Sequence, residues 1–222
     1  MSQVRKGRPT RKPSQTRKWI AAFSVFLLLT IIIATAHLWF PSGSNNVANQ
    51  SYLPTQTAAF TAYVNHYLAI MKNLNSTEIK TEMAALLSPN YNQTDLFTWE
   101  HSKLTFAQDP NGWYEDPFQI LNSGDGICVQ WSILYVSACL ALGYQSRLVV
   151  AANTSTWTFI HAWAEDYYNG KWVHVDPSDG VWNDPSRYQT WGWGTFGTQV
   201  RVYAFTDGNY QEVTSTYAPQ ST

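Results

Sequence analysis

The chain has 222 residues, 45% hydrophobic and 15% aromatic, enough for one domain with a core of its own. Its formal charge is −1, but seven of the fourteen Lys and Arg fall in the first eighteen residues, where there is no acid. The remainder carries seven bases against fifteen acids, near −8, which argues against nucleic acid as a partner. Two cysteines are too few for a disulfide framework or a zinc cage.

Residues 1–18, with Arg5, Lys6, Arg8, Arg11, Lys12, Arg17 and Lys18, read as a basic cytoplasmic tail. Trp19 to Phe40 follows almost without polarity, long enough for a helix to cross a bilayer, with Trp19 and Trp39 at its ends. This predicts a single-pass anchor at 19–40 and an extracellular domain beyond it. Ala34-Thr35-Ala36 also resembles a signal cleavage site, and a cleaved leader would export the domain equally. Asn49, Asn75, Asn92 and Asn153 each begin an Asn-x-Ser/Thr triplet, compatible with glycosylation outside the cell. Residues 41–55, with Ser-Gly-Ser-Asn-Asn just after Pro41, read as a flexible stalk. One domain is expected at 56–217, with a polar tail at 218–222.

Phe60, Val64, Tyr67, Leu68 and Met71 share a helical stripe and predict a helix near 56–72. Asn75, followed three residues later by Glu78, resembles a capping box for a second helix to about Leu87. From Ser88 to Tyr114 there is no clean period, and the reading is mostly loop. Asp116-Pro117 has the composition of a cap followed by proline at the first helical position, starting a short helix through Leu121. The main helix is expected from Ile127 to Leu142, stopped by Gly143. Leu148-Val149-Val150 reads as a strand. Strands near 158–168 and 171–176 flank Asn169-Gly170, a strong hairpin signal, and a last strand is expected at 199–205. Helices first and an antiparallel sheet afterwards make an α+β domain.

Cys128 stands where a Gly- and Asp-containing loop gives way to the main helix. Unpaired backbone N–H groups at a helix start stabilise a thiolate, and they also suit an oxyanion. Cys139, eleven residues on, lies roughly 16 Å along the same helix, out of reach for a disulfide. If Asn169-Gly170 is the hairpin loop, opposite positions sum to 339. His161, Trp163, His174 and Asp176 then share one face, with His161 and Asp176 diagonal neighbours. Ala162, Ala164, Val173 and Val175 form the opposite, apolar face. Cys128, His161 and Asp176 are therefore the candidates for nucleophile, base and orienting carboxylate. His174 reads as a surface residue of the hairpin. Trp113, Asn122, Trp131 and Trp163 are candidates for a second oxyanion donor or for substrate contact. No cofactor or metal is expected; Asp179, Asn183 and Asp184 read as solvated turn residues, lacking the spacing of a calcium loop.

Gly-x-Cys leading a helix, His-Ala-Trp on a strand and Trp-Val-His-Val-Asp-Pro closing a hairpin resemble the transglutaminase-like superfamily of thiol enzymes. Within it the sequence is similar to the peptide:N-glycanase branch, through Tyr114-x-x-Pro117, Gly126-Ile127-Cys128-x-x-Trp131, Ala141-Leu142-Gly143-Tyr144, His161-x-Trp163 and Trp172-x-His174-x-Asp176-Pro177. The likeness continues through Asp184-Pro185, Tyr188, Trp191-Gly192 and the Ala204-Phe205 strand. It departs at Gln130, where that branch usually has an acid, and in lacking the branch's paired zinc-binding cysteines. The resemblance implies a papain-like core with Cys128, His161 and Asp176 as a triad. It also implies an amidase reaction through a thioester, on a protein or glycoprotein. In that branch the bond cleaved joins a glycan to asparagine, and Trp157, Trp163, Trp172, Trp182, Trp191 and Trp193 would offer faces to sugar rings. Protein crosslinking or deamidation, peptide cleavage and a non-catalytic surface module are the alternatives.

Overall fold

The computed structural model describes residues 52–188 and 197–219. The basic tail, the apolar run and Asn49 lie outside the described residues, and among these no helix is long and apolar enough to cross a membrane.

Helix α1 (Tyr52–Leu74) starts inside the segment expected to be stalk, and its Tyr63, Val64, Tyr67, Ile70 and Met71 face the core. Helix α2 (Thr77–Leu86) is capped by Ser76, whose hydroxyl accepts from the Ile79 N–H, so the expected box of Asn75 and Glu78 does not form. Asn75 instead donates to Asp207 and accepts from Lys80. Helix α3 (Gln93–His101) occupies the stretch read as loop. It is short and more polar than apolar, so it has no clean stripe. Its start is fixed by a box in which Asn92 accepts from the Asp95 N–H while Asp95 accepts from the Asn92 N–H.

Helix α4 (Pro117–Ser123) begins as the sequence indicates, with the Asp116 carboxylate accepting from two N–H groups of its first turn. Helix α5 (Cys128–Ala141) is the central element, buried on nearly every side. A two-residue parallel pair, β1 (Thr105–Phe106) with β2 (Asp125–Gly126), precedes it. Strands β3 (Ser146–Asn153), β4 (Thr158–Tyr168), β5 (Lys171–Asp176), β6 (Val181–Trp182), β7 (Val200–Thr206) and β8 (Asn209–Glu212) form one antiparallel sheet in the order 6-5-4-3-7-8. Helix α6 (Thr214–Tyr217) ends the domain.

The β4–β5 register matches the expectation, with Tyr168 opposite Lys171 and Glu165 opposite His174. Asn169 and Gly170 both take positive φ, 50° and 82°, as a tight turn between twisted strands requires. Period-two alternation then divides the sheet. Leu148, Val150, Ala162, Ala164, Val175 and Phe205 face α1, α2 and α5, whereas Val149, Ala151, Trp163, Val202 and Ala204 form a second core with Tyr188, Val213 and Tyr217.

One polar residue breaks the apolar face of β4. Asp166 is fully buried and accepts from Tyr135 Oη at 2.6 Å. Burial first, partly offset by hydrogen bonds from Ser146, Tyr135, Cys139 and Gln93, pushes its carboxyl up to about 6. The folded state therefore binds a proton that the unfolded chain has lost. This contribution is complete below pH ~4 and is lost as pH rises through 6, roughly 3 kcal/mol in all. Asp166→Asn is expected to flatten the fall in stability between pH 4 and 6.5. Urea unfolding at those two pH values reads it, and an unchanged slope would refute the assignment.

Candidate active site

The start of α5 is built from three contacts. Gln130, at the third helical position, accepts from the Ile127 N–H through Oε1 (3.1 Å) and donates from Nε2 to the Gly112 carbonyl at 2.8 Å. Gly126 must be glycine, because a Cβ there would stand 2.9 Å from the Cβ of Gln130. Asp125 accepts from the backbone and side chain of Asn111, fastening the same loop a second time. The departure at Gln130 thus has a physical reason, since a carboxylate could not donate to Gly112. Cys128 becomes the first residue of α5, where its N–H and that of Val129 have no acceptor four residues back. Its thiol is free and buried, 8% exposed.

His161 lies on β4 beside a bulge, with Ala151 facing His161 and Ala152 facing Phe159. Such bulges re-aim the side chain next to them. His161 Nε2 is 2.6 Å from Asp176 Oδ2, at the end of β5. That bond commits Nε2 to the carboxylate and leaves Nδ1 as the ring nitrogen for the thiol. Burial opposes a charge on His161, but hydrogen bonds to Asp176 and to the Cys128 thiol outweigh it and push the imidazole up to about 10. Burial also opposes ionisation of Asp176. His161, Tyr188 and Ser178 overcome that opposition and hold the carboxyl down at about 2. The arrangement is an imidazolium held by the Asp176 carboxylate and hydrogen-bonded to the Cys128 thiol.

Among the other candidates, the structure separates surface from core. Trp113 is 70% exposed, next to the Gly112 carbonyl that Gln130 holds, and Asn122 is exposed on α4. Trp131 is buried, its indole N–H donating to the Gly126 carbonyl, so it packs rather than meets a substrate. Trp163 is also buried, stacked on Tyr188 at 4.5 Å, and offers no face to a ligand. Of the other tryptophans, Trp157 packs on Phe60 and Trp172 lies under the Arg147 guanidinium; Trp191 and Trp193 lie outside the described residues. His174 is not a surface residue: it is buried, and burial lowers it to about 4. Asp179 pairs with Arg187 and Asp184 accepts from Ser186. Asn153 is a buried acceptor for Ser155, a poor glycan acceptor. Tyr188, which donates to Asp176 Oδ2, carried a family likeness but no role in the sequence.

Residues 77–177, just under half the chain, match the family model of the transglutaminase-like superfamily. This stretch holds Cys128, His161 and Asp176 in one domain. Residues 77–177 are a transglutaminase-like domain. The curated relatives include peptide-N(4)-(N-acetyl-beta-glucosaminyl)asparagine amidases. The one from Oryza sativa is 33% identical over 82 residues, 36% of this chain and 17% of the relative. The one from Drosophila melanogaster is 33% identical over 104 residues, 47% of this chain and 15% of the relative. The one from Yarrowia lipolytica is 28% identical over 106 residues, 47% of this chain and 27% of the relative. The chain thus spans well under a third of these relatives' length. Among solved structures, Rad4–Rad23 crosslinked to an undamaged DNA aligns with TM-score 0.56 at 11% identity, covering 80% of this chain and 51% of that one. Rad4–Rad23 bound to a 6-4 photoproduct UV lesion aligns with TM-score 0.53 at 12% identity, covering 79% and 51%. These two show a shared fold and nothing more of this transglutaminase-like domain.

Proposed function

We propose that the domain is a thiol amidase, with Cys128 as nucleophile, His161 as acid and base and Asp176 as orienting group. The observation that carries this reading is His161 itself, bonded to Asp176 at 2.6 Å through one nitrogen and to the Cys128 thiol on its other side. The thiolate adds to a carboxamide carbon, and the oxyanion meets the Cys128 N–H at the positive end of α5. The C–N bond breaks as the imidazolium gives its proton to the leaving amine. Water, losing a proton to His161, then adds to the thioester and releases an acid and the thiol. Trp113, exposed beside the Gly112 carbonyl that Gln130 holds, offers an aromatic face to a substrate.

The curated relatives support the amide between an N-glycan and asparagine as the bond cleaved. Incubation with an N-glycosylated peptide tests this. Release of the glycan with an asparagine converted to aspartate, a gain of about one mass unit, is expected. Amine incorporation into glutamine without deglycosylation would assign the chemistry to crosslinking instead.

The apolar run from Trp19 to Phe40 behind seven bases supports an anchored domain facing outward. A membrane-impermeant thiol reagent should then label Cys128 on intact cells; labelling only after lysis would reverse this orientation.

A further inference from the structure

Behind Asp176 the hydrogen bonding continues further than the thiol chemistry requires. Tyr188, on the 3-10 turn Pro185–Tyr188, donates to Asp176 Oδ2, the same oxygen that His161 uses. Its hydroxyl lies 3.4 Å from His161 Nε2 and 3.2 Å from His174 Nε2. A phenol has one proton. Once it is given to Asp176, the phenol oxygen can only accept, so His174 must be the neutral tautomer protonated at Nε2. Burial keeps His174 neutral, lowering it to about 4. The direction of the chain is thereby fixed: His174 donates to Tyr188, Tyr188 to Asp176, and His161 to Asp176 from the other side.

The other oxygen of Asp176 is equally committed. Oδ1 accepts from the Ser178 hydroxyl at 2.7 Å and from the Asp179 N–H at 3.1 Å. Four donors on one carboxylate leave it no freedom to rotate. The Tyr188 ring is itself clamped, stacked on Trp163 at 4.5 Å and set edge-on to His174 at 5.1 Å. The remaining charges facing this chain offer no substitute donor to Oδ2. Glu100 of α3 has its carboxyl pushed up, first by burial and then by Asp176, and neither of its oxygens makes a hydrogen bond to Asp176. Asp179 is paired with Arg187 at 2.6 Å, Asp184 is an acceptor, and Tyr217 donates to Glu165.

We propose that Tyr188, oriented by His174, is a positioning residue that fixes the Asp176 carboxylate and through it the His161 ring facing Cys128. This rests on the thiol-amidase reading and deepens it. Without the phenol proton, Asp176 is easier to protonate and the imidazole loses one of the restraints on its plane. A neutral or displaced carboxyl no longer supports the imidazolium, and the thiolate returns to thiol at a higher pH.

The test is the rate of Cys128 alkylation by iodoacetamide against pH, followed by mass spectrometry, which needs no knowledge of the substrate. In Tyr188→Phe the acid limb is expected to move up by about one pH unit, so that the rate at the foot of that limb falls about ten-fold. His174→Leu, which removes the His174 donor from the phenol oxygen, should shift the limb in the same direction. His174→Gln keeps an N–H donor and should recover at least half of that shift, a rescue that simple loss of packing would not produce. A Tyr188→Phe limb superimposable on wild type overturns the proposal. Should Tyr188→Phe fail to fold, the two His174 variants decide alone, and equal limbs in both overturn it. A wild-type limb near the ~8.5 of a free thiol would instead strike at the thiol-amidase reading, so the two failures are distinguishable.

Discussion

Cys128→Ala is expected to lower amide hydrolysis by at least about 10⁴-fold while leaving the thermal midpoint near that of wild type. The sulfur is the atom that bonds to the carbonyl, and an alanine at the first position of α5 neither disturbs the Gln130 contacts nor opens a large cavity. His161→Ala should cost about as much, and the double variant hardly more, because nucleophile and base act as one unit. The pH dependence follows from His161. It must be protonated to discharge the amine, and its imidazole is pushed up to about 10 by Asp176 and Cys128 against the cost of burial. The rate constant kcat/KM should therefore hold level through neutrality and decline only as pH approaches 10, where the proton is lost. Initial rates on a glycosylated peptide measure both effects. Turnover by Cys128→Ala within ten-fold of wild type would remove the nucleophile from the mechanism.

Some of this geometry is written in the sequence and some is not, and the difference is physical. Asn169-Gly170 fixes a register, alternation of side chains follows from it, and so the meeting of His161 with Asp176 is legible from two short strands. The start of α5 at Cys128 is legible because a glycine-containing loop meets a long apolar run. What local pattern does not encode is depth. Trp131 and Trp163 stand beside the candidate site in sequence, yet both are buried, because exposure depends on which elements later cover them. Helix α3 escaped for a related reason. It buries Leu96 and Glu100 with Gln93 but offers no apolar stripe, and only its capping box, Asn92 with Asp95, marks it. Tyr188 comes twelve residues after Asp176 on a separate turn, and no spacing rule links a turn residue to the far side of a carboxylate. Asp166 was within reach: an acid in phase with Ala162 and Ala164 on β4 is a buried acid.

Arg147 and Glu165 show the same limit on the other face of the sheet, and they carry the largest expected effect on stability. They sit directly opposite each other on β3 and β4, with Arg147 Nε 2.6 Å and Nη2 2.5 Å from Glu165 Oε2. Glu165 Oε1 accepts from Tyr217 Oη of α6 at 2.5 Å, and the guanidinium lies 4.0 Å above the Trp172 ring. Both charges are buried, so their attraction is spent largely on the cost of leaving water. The pair therefore adds little relative to well-packed apolar residues, but losing one member strands the other. Arg147→Met is expected to destabilise the domain by about 3–5 kcal/mol, and Glu165→Leu by a similar amount. The double variant should regain most of that loss, because neither buried charge then remains. Urea unfolding of the four proteins measures the coupling. Additive losses in the double variant would mean that packing against Trp172 and Tyr217, rather than charge, is what each side chain supplies. Neither residue touches Cys128 or His161, so alkylation of Cys128 under folding conditions should proceed at the wild-type rate in the double variant. Stability and thiol chemistry are in that sense held by separate charges on the same strand, buried Glu165 and part-buried His161, four residues apart.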